Sequence, residues 1–76
     1  MHAFRAKVTT PADREGRRTE MRWVVLEENL GLAVAALRRV APHGSIIEAA
    51  GENLEPATAE RLSLRRGVPR LLAKGP

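Results

Sequence analysis

The sequence predicts an α+β fold: a small antiparallel sheet in the order ββαβ, with one main helix packed on one face and a short C-terminal helix. Two observations support this prediction. Two segments in the first third of the chain alternate between apolar and polar side chains, which is typical of half-buried strands. The next segment spaces its apolar residues three or four positions apart, which is typical of an amphipathic helix.

The first two strands are predicted to form a hairpin. Residues 3–10 form the first strand, because every second residue from Phe4 to Val8 is apolar. Residues 19–27 form the second strand, which is apolar on both faces and is therefore predicted to be an inner strand. The polar connection 11–18 contains a proline and a glycine, and we expect it to be a mobile hairpin tip.

The main helix follows the hairpin. Its apolar stripe begins at Leu30 and ends at Ala41, after which Pro42 stops the helix. Residues 45–50 include two adjacent isoleucines and are predicted to be the third strand.

The last third of the chain carries weaker signals. Pro56 is suited to the first position of a short helix that runs to Leu62. Residues 68–72 are predicted to be a short extended segment, and Pro69 restricts any such strand to the edge of the sheet. Residues 73–76 are expected to be a frayed tail. The whole chain, residues 1–76, is interpreted as a single small domain.

The composition excludes several kinds of functional site. A chain with no cysteine has no disulfide framework, thiol nucleophile or thiolate zinc site, and two histidines do not make a His-rich metal centre. There is no apolar leader core, and the longest uncharged run is too short to span a bilayer. We therefore expect a cytoplasmic protein with no membrane partner.

Two pairs of residues are alternatives to the conclusion that the chain has no functional site of these kinds. Ser45 with His43 is conceivable as a catalytic dyad, although His43 is better explained as a cap at the helix C-terminus. Glu52 and Glu55 could bind a cation, although acidic residues before a helix explain them adequately. The sequence therefore predicts no enzyme and no catalytic, cofactor-binding or metal-binding residue.

The formal net charge of +4 is distributed unevenly along the chain. Residues 1–22 sum to +3, residues 23–60 to −4 and residues 61–76 to +5. The predicted partner-binding residues are arginines of the hairpin tip and of the C-terminal basic segment: Arg14, Arg17, Arg18, Arg65, Arg66 and Arg70. Arginine is favoured because its planar guanidinium is enriched at interface hot spots.

Four interpretations of these charges stay open at the level of sequence. They form an ordinary solvated surface, contact nucleic acid, dock on a complementary protein, or hold two copies of the chain together as a homodimer. Stacking aromatics, which single-strand and RNA readers use, are scarce, because the chain has one Phe and one Trp. The acidic middle segment would also repel phosphates. Docking on a protein or nucleoprotein partner is therefore favoured.

In its size, its lack of cysteine and its strong patches of charge, the chain resembles small phage and prophage inhibitor proteins of the anti-CRISPR kind. The resemblance implies an accessory or inhibitor protein of a phage or mobile element that occupies the surface of a host protein or nucleoprotein complex. The alternative is a small nucleic-acid-binding module that uses the basic hairpin tip and the C-terminal arginine cluster.

Overall fold

The computed structural model describes residues 2–52 and 56–75 and confirms the predicted α+β class. A four-stranded antiparallel sheet packs against one main helix. The elements in chain order are β1 His2–Thr9, β2 Glu20–Glu27, α1 Leu30–Val40, β3 Ile46–Glu52, α2 Pro56–Arg61 and β4 Arg70–Gly75.

The strands lie in the spatial order β3-β1-β2-β4, so the β1–β2 hairpin forms the centre of the sheet. β1 pairs with β2 and β3, and β2 pairs with β1 and β4, all in antiparallel fashion. The prediction that β2 is an inner strand is confirmed. The first three strands and α1 follow the predicted ββαβ order. β4 adds a fourth strand to the sheet by pairing with β2, at the edge opposite β3.

Helix α1 covers one face of the sheet. The Asn29 side chain caps its N-terminus by accepting a hydrogen bond from the Leu32 N–H at 2.9 Å. Its apolar stripe places Ala33, Ala36 and Leu37 against the sheet. The core partners on the sheet occupy alternating positions of the three strands beneath the helix: Phe4, Ala6, Trp23, Val25, Ile47 and Ala49.

The C-terminal residues differ from the sequence prediction. Residues 73–75, expected to be part of a frayed tail, belong to β4 and continue its pairing with β2 as far as Gly75 opposite Glu20. The physical reason is that β2 is an inner strand whose second edge offers unpaired backbone groups, and β4 satisfies them. β4 lies at the edge of the sheet, as predicted, but Pro69 directly precedes it, so the missing N–H of Pro69 removes no hydrogen bond from the pairing with β2.

Candidate binding face

The predicted hairpin-tip residues lie in the connection between β1 and β2 and are exposed. The Asp13 carboxylate shapes this tip by accepting hydrogen bonds from the backbone N–H groups of Glu15 and Arg17, at 2.8 and 2.9 Å. Arg17 also forms an ion pair with Glu15. Arg14 and Arg18 are therefore the two tip arginines for which the described residues provide no acidic partner.

The predicted C-terminal arginines do not form one cluster. Arg66 turns back towards the end of β2, where its Nε lies 3.3 Å from Glu27 Oε1 and its Nη2 lies 3.5 Å from Glu28 Oε1. The Glu27 side chain is only 11% exposed, so this contact holds the 65–68 turn against β2. Arg65 is exposed in that turn, whereas Arg70 lies in β4 opposite Val24.

The two predicted sets of arginines are separated by the length of the sheet. The hairpin tip precedes Glu20, whereas Arg66 lies beside Leu26 at the other end of β2. Six residue steps along a strand correspond to about 20 Å. The structure therefore brings Arg14, Arg17 and Arg18 together, but it does not bring them to Arg65 and Arg66.

The structure assembles a different basic surface that the sequence prediction missed. The side of the sheet opposite α1, which we call the helix-free face because α1 packs on the other side, carries Arg5, Lys7, Arg22 and Arg70. Ala3 and Val24 on this side are buried, so part of the face is covered within the protein. Lys7 lies directly opposite Arg22 in the register, and Val24 lies between Arg5 and Arg70. Three strands thus contribute one basic residue or more to a single surface.

A groove with a volume of about 480 Å³ crosses this face from β3 to β4. The side chains on its walls are those at alternating positions of the strands, namely Arg5, Lys7, Arg22, Glu48, Ala50 and Leu72. A second depression of about 210 Å³ adjoins it and shares Arg22. Arg22 therefore lies where the two depressions meet.

The charges on this face are partly compensated. Like charges directly opposite each other in a sheet are destabilising, and Lys7 faces Arg22. Glu20 offsets this repulsion, because its Oε1 lies 3.2 Å from Lys7 Nζ, and Glu48 lies opposite Lys7 on β3. Within the described residues, neither Arg22 nor Arg70 has an ion-pair partner, so these two are the basic groups on this face most available to an external anion.

The separation of charge along the sequence does not persist in space. Glu27 and Glu28 belong to the acidic middle segment, yet both contact Arg66 of the basic C-terminal segment. Glu48, from the same acidic segment, lies among basic residues on the helix-free face. Three acidic residues of the middle segment thus lie beside basic residues of other segments, because strand pairing joins residues that are distant in sequence.

The constellations considered for catalysis and metal binding are not assembled. Ser45 is buried, and its hydroxyl donates a 2.7 Å hydrogen bond to the Pro42 carbonyl, whereas His43 is exposed. At the C-terminus of α1, the N–H of the C-cap residue Ala41 donates a 2.9 Å hydrogen bond to the Leu37 carbonyl. The cation interpretation involved Glu55, which lies outside the described residues.

In the part of the chain that the structure describes, no three His, Cys, Asp or Glu side chains lie close enough together to hold a metal ion. Over the same residues, neither helix has the length and apolar character needed to cross a membrane. Comparisons with protein-family models, with curated proteins and with solved structures found no match.

The basic face did leave a signal in the sequence. In β1, Arg5 and Lys7 occupy the positions between the apolar residues that form the core, and Arg22 occupies the equivalent position in β2. Alternation within each strand therefore indicates that these side chains lie outside the core. What the sequence does not give is the pairing register, which places the three side chains on one surface.

Proposed function

We propose that this protein acts by binding, and that its helix-free face docks on an anionic surface of a protein or nucleoprotein partner. The observation that supports the proposal is the arrangement of Arg5, Lys7, Arg22 and Arg70 on one face of the sheet. The sheet holds these side chains on regular backbone, so association needs little ordering of the backbone.

The dimensions of the molecule suit such a role. Its extents of 41, 22 and 16 Å make two opposite sides of the molecule broader than the rest, and a broad side is what an interface that buries ~800 Å² on each partner needs. Exposed apolar side chains also occur on the helix-free face, where Ile46 is 52% and Leu72 is 39% exposed. A mixture of apolar groups, arginine and both signs of charge is the usual composition of a protein interface.

In this proposal the protein is an inhibitor or accessory factor, as its resemblance to small phage inhibitors implies. A chain of this size blocks its target by covering the surface that the target uses for another ligand. Inhibition therefore requires only affinity and steric exclusion, which a rigid charged sheet face provides without a catalytic group.

The test is a capture experiment with two variants of matched charge. Arg5→Glu/Arg22→Glu reverses two charges on the helix-free face, and Arg38→Glu/Arg39→Glu reverses two exposed charges on α1, on the other side of the sheet. Wild type and the α1 variant are expected to recover the same partner from host lysate, whereas the helix-free-face variant loses it. With the purified partner, the helix-free-face variant should bind at least about 30-fold more weakly, since a hot-spot residue contributes ~2 kcal/mol. Equal binding by the two variants would contradict the proposal.

One observation favours nucleic acid as a second candidate partner. Four acidic side chains (Glu15, Glu20, Glu27 and Glu28) already contact basic residues within the protein. Over the described residues, Arg14, Arg18, Arg22 and Arg70 have no such partner, which leaves an excess of positive charge for phosphates. The protein partner remains the better candidate, because Glu20 and Glu48 lie on the helix-free face and both Phe4 and Trp23 lie on the helix side, where neither can stack on bases.

Salt dependence distinguishes these two candidates. If four basic residues of the helix-free face contact phosphates, the logarithm of the binding constant for duplex DNA should fall with slope about −3.6 against the logarithm of salt concentration, which is about 150-fold between 50 and 200 mM. Fluorescence anisotropy with a random-sequence duplex measures this slope. Arg5→Glu/Arg22→Glu should abolish binding or at least halve the slope. The absence of any binding at 50 mM salt would eliminate the nucleic-acid candidate and leave the protein proposal standing.

A further inference from the structure

The two edges of the sheet differ in charge. Glu48 is exposed on the edge strand β3, and among the described residues it has no ion-pair partner. The other edge strand, β4, carries Arg70 and Lys74, and the C-terminal segment 61–76 contains no acidic residue. One edge of the sheet is thus acidic and the other basic.

The two edges also run in opposite directions. β1 is antiparallel to β2 and β3, and β4 is antiparallel to β2, so β3 and β4 point opposite ways along the sheet. A second copy moved sideways without being turned over would therefore place its β3 beside β4 of the first copy in antiparallel orientation. The strands have similar lengths, seven residues in β3 and six in β4, and their outer backbone groups have no partner strand in the described chain.

The helix side of β4 provides a third feature. Helix α1 packs over β2 and β3, and Leu71, which lies beside Trp23 on that side, remains 42% exposed. A helix with its side chains is ~10 Å wide, about twice the ~4.8 Å spacing of strands. The part of α1 that crosses β3 in an added copy would therefore reach towards Leu71. α1 keeps Leu32 and Val40 42% and 47% exposed, which provides apolar surface for that contact.

We infer that this chain associates head to tail, with β3 of one copy adding to β4 of the next to continue the antiparallel sheet. Pairing of two β4 edges is disfavoured, because Arg70 and Lys74 of each copy would face like charges. Arg70 instead favours β3, which carries Glu48 on the same face of the sheet. An interface between two different edges leaves a free edge at each end, so growth does not stop at a dimer.

Sedimentation velocity and light scattering test this inference over concentrations from about 10 μM to about 1 mM, where weak interfaces become populated. The weight-average mass of wild type should rise continuously from the monomer value of 8.3 kDa. Glu48→Lys and Arg70→Glu should each abolish the rise, because each puts like charges at positions 48 and 70, which share one face of the sheet. Mixing the two variants in equal amounts should restore it, because every pairing between them is again between opposite charges.

Matched control variants distinguish the effect of a charge change at an edge of the sheet from the effect of the same change elsewhere on the surface. Glu60→Lys, exposed on α2, and Arg14→Glu, exposed at the hairpin tip, make the same charge changes away from both edges and should associate as wild type does. Circular dichroism confirms that all variants remain folded. A constant mass of 8.3 kDa over the whole range would overturn the inference. A species that stops at the dimer, or association that persists in both edge variants, would also overturn the inference. None of these results would affect the proposed docking of the helix-free face.

Discussion

Gly67 permits a stringent test of how the C-terminal third of the chain is attached to the sheet. Its N–H donates a 2.9 Å hydrogen bond to the Leu26 carbonyl, and its φ of +72° lies in the left-handed region. A Cβ added at this position would lie 3.2 Å from Glu27 Oε2. The same carboxylate contacts Arg66, so Gly67→Ala would disturb the contact that holds the 65–68 turn against β2.

The expected loss in the free energy of unfolding for Gly67→Ala has two parts, and Gly16→Ala is a control for one of them. Left-handed backbone costs a non-glycine residue about 1–2 kcal/mol, offset by about 0.4–1 kcal/mol because alanine restricts the unfolded chain. Gly16 has φ +77° with nothing within 4 Å of an added Cβ, so Gly16→Ala should cost only this backbone difference, about 1 kcal/mol. Gly67→Ala also crowds the carboxylate, which adds about 1 kcal/mol at the low end of overpacking costs.

Urea and thermal denaturation, followed by the fluorescence of the single tryptophan, measure both variants. In a domain of this size, 1 kcal/mol lowers Tm by about 4–8 °C, so Gly67→Ala should melt about 8–16 °C below wild type and Gly16→Ala about 4–8 °C below it. In a Glu27→Ala background, Gly67→Ala should cost no more than Gly16→Ala does in wild type. Equal costs for the two alanine variants in the wild-type background would refute the reasoning.

Three further changes test the helix, the core and the hairpin tip. Asn29→Ala removes the acceptor for the Leu32 N–H and should lower the free energy of unfolding by about 1 kcal/mol in urea titrations, whereas Asn29→Ser should retain most of it. Leu37→Ala removes a fully buried side chain and should cost about 2–5 kcal/mol, enough to populate the unfolded state at 25 °C, whereas Leu37→Met should leave a cooperative transition. Asp13→Ala should accelerate tryptic cleavage within residues 11–18, as mass spectrometry would show, while changing global stability by less than about 1 kcal/mol; an unchanged cleavage rate would mean that this carboxylate does not order the tip.

The elements that the sequence predicts well are those whose signal is local. β1, β2 and α1 each carry a complete hydrophobic period, and their structural bounds lie within two residues of the predicted ones. β4 shows no alternation of apolar and polar residues. Its residues are ordered by pairing with β2, which lies about fifty residues earlier in the chain. The prediction of a frayed tail is therefore wrong for residues 73–75. These residues are ordered because β2 has a free edge to pair with, and their own sequence does not reveal that edge.

The basic surface opposite α1 was not predicted from the sequence for a related reason. Proximity along the chain singled out the arginines of two segments, but Arg66 proved to be bound to Glu27, and Arg65 lies at the opposite end of the sheet from Arg18. The basic residues that share a surface come instead from three strands, and each strand contributes one or two of them. Identifying them requires the register, which depends on contacts between residues that are far apart in sequence.

The basic side chains of the helix-free face also help to determine the fold. A slip of one residue in β1 would exchange its two faces and direct Arg5 and Lys7 towards α1 in place of Phe4 and Ala6. Burying unpaired charges in that core is far more costly than any single strand contact is stabilising. In β2, by contrast, Val24 on the helix-free side is fully buried, so apolar pattern alone specifies its register weakly. The charges proposed to bind a partner are therefore the same charges that fix the register of β1, and through their pairing the register of β2.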